Sequence, residues 1–172
     1  KSEPEIGHLP LDQYDFSPWE FGFVFGHTSD SGLSGVFDAH EIRTVIRTLA
    51  TAERTPSQIL IDVDRKLTQR TGKKSPVAIS YIFVDTRRGM LKYATAGSSP
   101  ILHARPTLNR KFDITPLHTS TGRLQVREHT EFAQEVREQK RTIREGDIIA
   151  ICSDTVYNAK THDGGRFGID AL

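Results

Sequence analysis

A few carboxylates and one imidazole stand where apolar runs give way to turns, the places where a fold can gather side chains for chemistry. Asp12 and Asp15 flank Tyr14. His27 and Asp30 lie in the glycine-rich segment Gly26-His27-Thr28-Ser29-Asp30-Ser31-Gly32-Leu33-Ser34-Gly35, directly after the apolar run Glu20-Phe21-Gly22-Phe23-Val24-Phe25. Asp154 follows the apolar run Ile148-Ile149-Ala150-Ile151-Cys152. Carboxylate oxygens suit hard divalent cations such as Mg²⁺, whereas a neutral imidazole offers one nitrogen and suits Zn, Ni or Cu better. Plainer readings stand beside these. Asp12 and Asp15 also fit solvated turn carboxylates, and His27 fits a hydrogen-bonded turn histidine. Ser31 has no histidine or aspartate pattern that would make it a nucleophile. The other histidines, His8, His40, His103, His118, His129 and His162, show no metal-ligand spacing and read as surface residues.

The elements that must position these residues are legible from periodicity. Ile42, Val45, Ile46 and Leu49 predict a helix from about Val36 to Ala52. Thr55-Pro56-Ser57-Gln58 has the form of a capping box with proline at the first helical position, and opens a second helix over 56–70. Its apolar side is Ile59, Leu60, Val63 and Leu67, and these residues with the four of the first helix are expected in the core. From Val77 the pattern changes to short β-rich runs at 77–84, 90–95, 100–104, 124–128 and 147–152. Asp85–Gly89 is expected to turn between the first two. Residues 105–122 read as loop around at most one short strand. The segment 128–140 is ambiguous, because Phe132 and Val136 are four apart, as in a helix.

Composition excludes more than it selects. A chain of 172 residues with 36% apolar content fits one domain, 1–172, with a real core. Lysine and arginine total 23 against 22 acidic residues, so no charge excess invites nucleic acid or an anionic membrane. The single cysteine, Cys152, excludes an intrachain disulfide and reads as a buried thiol. No apolar run approaches the ~20 residues of a membrane span, and a cytoplasmic location is expected. The only methionine is Met90, so we expect a fragment of a longer protein.

Several short segments together resemble one family. Gly26, Gly32 and Gly35 keep the frame of the Gly-Asp-x-x-Gly-His-Gly-x-x-Ala turn of SpoIIE-like (RsbU-like) domains, within the PPM metal-dependent protein phosphatases. Leu11-Asp12-Gln13-Tyr14-Asp15 resembles their opening Gly-Asp-x-Tyr-Asp. Ala94-Thr95-Ala96-Gly97-Ser98-Ser99-Pro100 resembles Asn-Ala-Gly-His-x-Pro, with Ser98 in place of histidine. Glu145-Gly146-Asp147, the apolar run and Ser153-Asp154-Thr155 resemble Pro-Gly-Asp, a strand and Thr-Asp-Gly. Phe167-Gly168 with Leu172 resembles the Phe-Gly-x-x-x-Leu that follows. The resemblance implies an α/β (α+β) sandwich of two mainly antiparallel sheets flanked by helices, lacking the C-terminal helix and strand. It also leads us to expect strand rather than helix within 128–140.

In that family, water bridging two Mn²⁺ or Mg²⁺ ions hydrolyses phosphoserine or phosphothreonine, and aspartates supply the bridging oxygens. The resemblance assigns Asp12, His27 and Asp154 to three of the ligand positions and predicts that they converge. His27 stands where the family has aspartate, and the late Asp-Asp-x-Thr segment does not occur before Leu172. The expected cofactor is therefore none, or weakly bound Mn²⁺ or Mg²⁺. The implied function is a pseudophosphatase or very weak phosphatase that binds a regulatory protein in bacterial partner switching. An anti-sigma-factor antagonist or another phosphoserine protein is the implied partner, and homodimer formation is left open. The alternative is an active phosphatase with an altered metal site.

Overall fold

Two tight turns, at 18–19 and 86–89, each fold a pair of antiparallel strands in the larger part of the chain, and two helices lie between the pairs. The computed structural model describes residues 8–29, 33–69, 76–97, 101–109, 111–117, 119, 121–124, 126, 128–151, 160, 162 and 165. In chain order the elements are β1 (His8–Ser17), β2 (Glu20–Thr28), α1 (Leu33–Leu49), α2 (Pro56–Thr68), β3 (Val77–Asp85), β4 (Met90–Ala96), β5 (Ile101–Pro106), β6 (Phe112–Leu117), α3 (His129–Glu135), β7 (Gln139–Thr142) and β8 (Ile148–Ile151). They form a five-stranded sheet, β1-β2-β3-β4-β7, and a three-stranded sheet, β6-β5-β8, with every strand pair antiparallel. The chain divides into two compact units: Lys1–Gly97 with Thr119–Ile143, and Ser98–His118 with Arg144–Leu172.

In the first unit the core lies between the five-stranded sheet and its helices. β2 alternates: Gly22, Val24, Gly26 and Thr28 are buried, and the residues between them are half-buried. This is the period of two expected of a strand. Val24 packs with Val77, Ile79, Tyr81 and Phe83 of β3 and with Ile42, Ile46, Ile59, Leu60, Val63 and Leu67 of the helices. Leu124, Phe132 and Val136 belong to the same cluster. β3 is buried along nearly its whole length on both faces, which explains its unbroken apolar sequence.

The helices form for the reasons the sequence suggests. The Thr55 hydroxyl accepts the Gln58 N–H at 3.3 Å, while the Gln58 side chain accepts the Thr55 N–H at 2.9 Å. This satisfies two otherwise orphaned donors, and Pro56 occupies a helical position that has no donor to lose. α1 begins three residues earlier than expected. Val45 and Leu49 sit half-buried at the margin of the core, because Ile42 and Ile46 occupy the centre of the helix stripe.

Two expectations are resolved near the end of this unit. The run 124–128 forms no described strand: Leu124 makes one reciprocal bridge with Val77, then Val126 is exposed and Glu128 caps α3. The segment 128–140 contains both candidates, helix α3, as the Phe132–Val136 spacing suggested, and then the start of β7, as the family resemblance led us to expect. β7 is exposed and polar throughout and is held by backbone pairing to β4, which is why it left no apolar signal. In the second unit β5, β6 and β8 fall where the β-rich runs and the single loop strand were expected, while Cys152 lies outside the described residues.

One feature of the core is testable. The Tyr81 hydroxyl is fully buried and has no hydrogen-bond partner among the described residues. Burial pushes its pKa well above the ordinary tyrosine value. Gly22 lies against it: a Cβ there would collide with this hydroxyl and crowd the Phe16 ring. Removing an unpaired buried hydroxyl relieves a desolvation cost of roughly 1 kcal/mol or more. Tyr81→Phe is therefore expected to be neutral or stabilising by up to about 1 kcal/mol in urea denaturation. It should also reduce the cost of Gly22→Ala. A clear loss of stability in Tyr81→Phe would disprove this account.

Candidate functional site

Asp12 lies on β1, and two breaks in strand register decide where it points. Between them, residues 12–15 pair regularly with β2, Asp12 opposite Val24 and Asp15 opposite Phe21. Shifts occur between Leu9 and Asp12 and again between Asp15 and Ser17. An unbroken ladder from either end would set Asp12 opposite Phe23 or Phe25, on the other face. A one-residue slip reverses every side chain it spans. Asp12 accordingly faces α1, where Arg43 holds it from both nitrogens of its fork, Nε to Oδ2 at 2.6 Å and Nη2 to Oδ1 at 2.7 Å. Tyr14 shares this face; its pKa is pushed up to about 12, first by burial and then by the Asp12 charge. Asp15 is exposed and accepts a hydrogen bond from Gln13 at 2.6 Å.

His27 lies three residues beyond Val24 on β2, opposite Ala78 of β3 and His8 of β1. The β2–β3 register is unbroken, so His27 leaves the sheet on the face opposite to Val24 and Asp12. Asp12 and His27 thus leave the sheet on opposite faces. Asp154 lies outside the described residues, as do Asp30, Ser31 and Ser98. Asp12 and His27 do not fit a shared two-metal centre: they face opposite sides of a sheet, and Arg43 already engages both oxygens of Asp12. Among the described residues no group of three His, Cys, Asp or Glu side chains could hold a metal ion.

The turn after His27 is nonetheless built with care. A Cβ on Gly26 would collide with the Ala78 carbonyl oxygen, so the close approach of β2 and β3 requires glycine there. Ser29 donates both its N–H and its hydroxyl to the Pro76 carbonyl, each at 2.9 Å. Arg123 Nη1 donates to the Ser29 hydroxyl at 2.9 Å. Arg123 also packs on Gly97, whose φ of +61° and N–H to Thr121 carbonyl bond of 3.0 Å form the turn after β4. Thr95 and Thr119 join hydroxyls at 2.7 Å just before it. Arg123 thus ties together the two glycine turns that the sequence singled out separately. No spacing pattern marked it, since its role depends on a contact with a residue 94 positions away.

Two histidines read as surface residues are instead structural. In the second unit His103 is 2% exposed, and its Nε2 lies 2.7 Å from Asp147. Arg105 grips the same carboxylate from Nε at 3.1 Å and Nη2 at 2.7 Å, and the Arg144 N–H donates to it at 3.0 Å. The Arg105 hydrogen bonds, followed by those from His103 and the Arg144 N–H, hold the Asp147 pKa well below the usual carboxylate range despite burial. Gly146, at φ +86°, turns the chain so that Asp147 can accept from its own turn. The Gly-Asp pair therefore serves the fold. In the first unit, Asp64 of α2 is fully buried and meets His129 Nδ1 of α3 at 2.7 Å.

Among the described residues no helix is long and apolar enough to cross a membrane. Comparison with known proteins agrees with the architecture. Similar solved structures include the RsbU and RsbW domains of Rv1364c from Mycobacterium tuberculosis, with a TM-score of 0.73, 21% identity, and coverage of 92% of this chain and 42% of that one. The SiaA-PP2C domain of Pseudomonas aeruginosa gives a TM-score of 0.75 at 15% identity, covering 94% and 61%. The PP2C phosphatase domain and regulatory-domain fragment of SpoIIE from Bacillus subtilis gives 0.68 at 15% identity, covering 89% and 43%. The chain thus spans between 42% and 61% of the length of these proteins. No curated protein matches significantly. The model of the family described as stage II sporulation protein E (SpoIIE) matches residues 17–172. With that match over most of its length, and with two antiparallel sheets and three helices like those of the PP2C (PPM) phosphatase domains, the chain belongs to the SpoIIE family.

Proposed function

We propose that this domain is a phosphatase-fold signalling module that acts by binding a protein partner in bacterial partner switching, with metal-dependent hydrolysis lost or very weak. The observation that carries the reading is the Arg43–Asp12 pair. Both oxygens of the opening aspartate are taken by a guanidinium, which supplies the positive charge that a divalent ion would otherwise provide. His27, in the place of the next aspartate, offers at most one nitrogen, and that on the other face. The partner is a regulatory protein of the anti-sigma-factor-antagonist type or another phosphoserine protein, met in the cytoplasm. The RsbU and RsbW domains present together in one similar structure support that setting.

The second reading is an active Mn²⁺- or Mg²⁺-dependent phosphatase with an altered metal site that includes Asp154. Family membership and the phosphatase domains among its structural relatives favour it. Titration calorimetry with Mn²⁺ separates the two. The expected result is no binding tighter than about 1 mM, because one paired carboxylate and one imidazole make a poor site for a hard cation. Binding in the micromolar range that is lost in Asp12→Asn or Asp154→Asn would overturn the proposal in favour of the active enzyme.

A further inference from the structure

We propose that the end of the five-stranded sheet formed by the β1–β2 and β3–β4 turns is a docking site for an acidic segment of a partner protein, with Trp19 as its apolar anchor and Arg87 and Arg88 as its carboxylate-binding groups. Ser17, Trp19, Glu20, Asp85, Arg87 and Arg88 line an open depression of about 510 Å³ there. It lies at the start of β2, eight residues from Thr28, hence roughly 26 Å along the strand from the turn that carries His27.

Trp19 is 53% exposed, an unusual condition for so large an apolar side chain. It is not loosely placed. Its carbonyl accepts the Thr86 N–H at 2.9 Å and the Thr86 hydroxyl at 3.1 Å, so the two turns are bonded to each other. Its own N–H is within 3.3 Å of the Ser17 hydroxyl. An exposed aromatic on a fixed backbone loses little freedom on binding, and tryptophan and arginine are over-represented among the residues that dominate protein interfaces.

The charges in the depression are sorted by depth. Asp85 is buried and turned inward, its Oδ1 accepting the Arg88 N–H at 2.9 Å. Glu20 accepts the Ser17 hydroxyl at 3.0 Å. The groups that face outward are cationic. The Arg88 side chain is 75% exposed and only loosely paired with Asp85 at 3.6 Å, and Arg87 has no ion-pair partner among the described residues. Two outward guanidiniums beside an indole fit carboxylates flanking an apolar side chain.

Trp19 is the only tryptophan in the chain, so intrinsic fluorescence reports on this site alone. The probe is a synthetic peptide of aspartate and glutamate residues around one phenylalanine; the controls are its lysine counterpart and ADP. The expected result is a saturable change in emission with the acidic peptide only, suppressed by about 0.5 M NaCl through charge screening. The Arg87→Ala/Arg88→Ala double variant should bind at least roughly tenfold more weakly, as loss of two charge-assisted contacts implies. Arg87→Ala alone, which removes no described contact, should show part of the loss with an unchanged circular dichroism spectrum. No response to the acidic peptide, equal affinity in the variants, an equal response to the lysine peptide, or a response to ADP alone would each overturn the proposal.

Discussion

With millimolar Mn²⁺, neither p-nitrophenyl phosphate nor a phosphoserine peptide should be hydrolysed detectably above the rate in buffer, and His27→Asp should not restore turnover. The expected effect is large, because a working enzyme accelerates its reaction by about 10⁶-fold or more. In two-metal hydrolysis that acceleration depends on ions about 3.5–4 Å apart that share ligands and the attacking water. His27→Asp adds a carboxylate, but on the face of the sheet away from Asp12. Three residues along β2 separate it from the position opposite Asp12, roughly 10 Å, before the opposite directions of the side chains are counted. Arg43 would still hold Asp12. Chelator-sensitive turnover in the wild type, or its appearance in His27→Asp, would show that the pseudophosphatase reading is wrong.

Asp147→Ala should be the most damaging single substitution among the described residues of the second unit, with an expected loss of about 3–5 kcal/mol of stability. The carboxylate is almost wholly buried and accepts from Arg105, His103 and the Arg144 N–H at once. Deleting it leaves a buried imidazole and a backbone donor without that acceptor. Asp147→Asn keeps the shape and loses the charge, so its cost should be smaller but still measurable in urea. The pH dependence follows from the depressed pKa. The folded protein binds this proton less readily than the unfolded chain does, so stability rises with pH across the window between the two values. The contribution is complete above about pH 4, near the unfolded aspartate value, and is lost as pH falls through the lower folded value. Urea unfolding followed between pH 2 and 7, with amide exchange in β5 and β8 as the local readout, should show this acid slope in the wild type and its absence in Asp147→Asn. Equal slopes in both proteins would rule out Asp147 as its source.

Much of the architecture was legible in the chain itself. Helices α1 and α2 followed from apolar residues at helical spacing and from the Thr55–Gln58 box, because both signals are local and each satisfies backbone donors or buries a stripe without outside help. β3, β4, β5 and β8 followed from short apolar runs for the same reason. The family frame was legible too, since Gly26 and Gly97 sit where a side chain would collide with neighbouring chain. Elements that depend on a distant partner were not legible: β7 is polar and pairs through its backbone with β4, and Arg123 acts through Ser29.

The candidate site was the least legible part. Alignment of Asp12 and His27 with ligand positions places them in order along the chain, but whether they meet depends on the face from which each leaves the sheet. A side-chain period of two makes that choice sensitive to a single extra residue. The shifts on either side of residues 12–15 turn Asp12 toward α1 and into the grip of Arg43. Pro10, which has no N–H to give to the ladder, lies inside the first shift, but the sequence alone does not say which way the strand slips there. The shifts belong to the pairing of β1 with β2 and to the salt bridge with a helix residue 31 positions away, which only the folded chain brings together. The same holds for His103 and His129, whose spacing was uninformative because their carboxylate partners lie 44 and 65 residues distant. Local signals carried most of the helices and strands and the family frame; which charges face one another was settled only where the folded chain brings distant residues together.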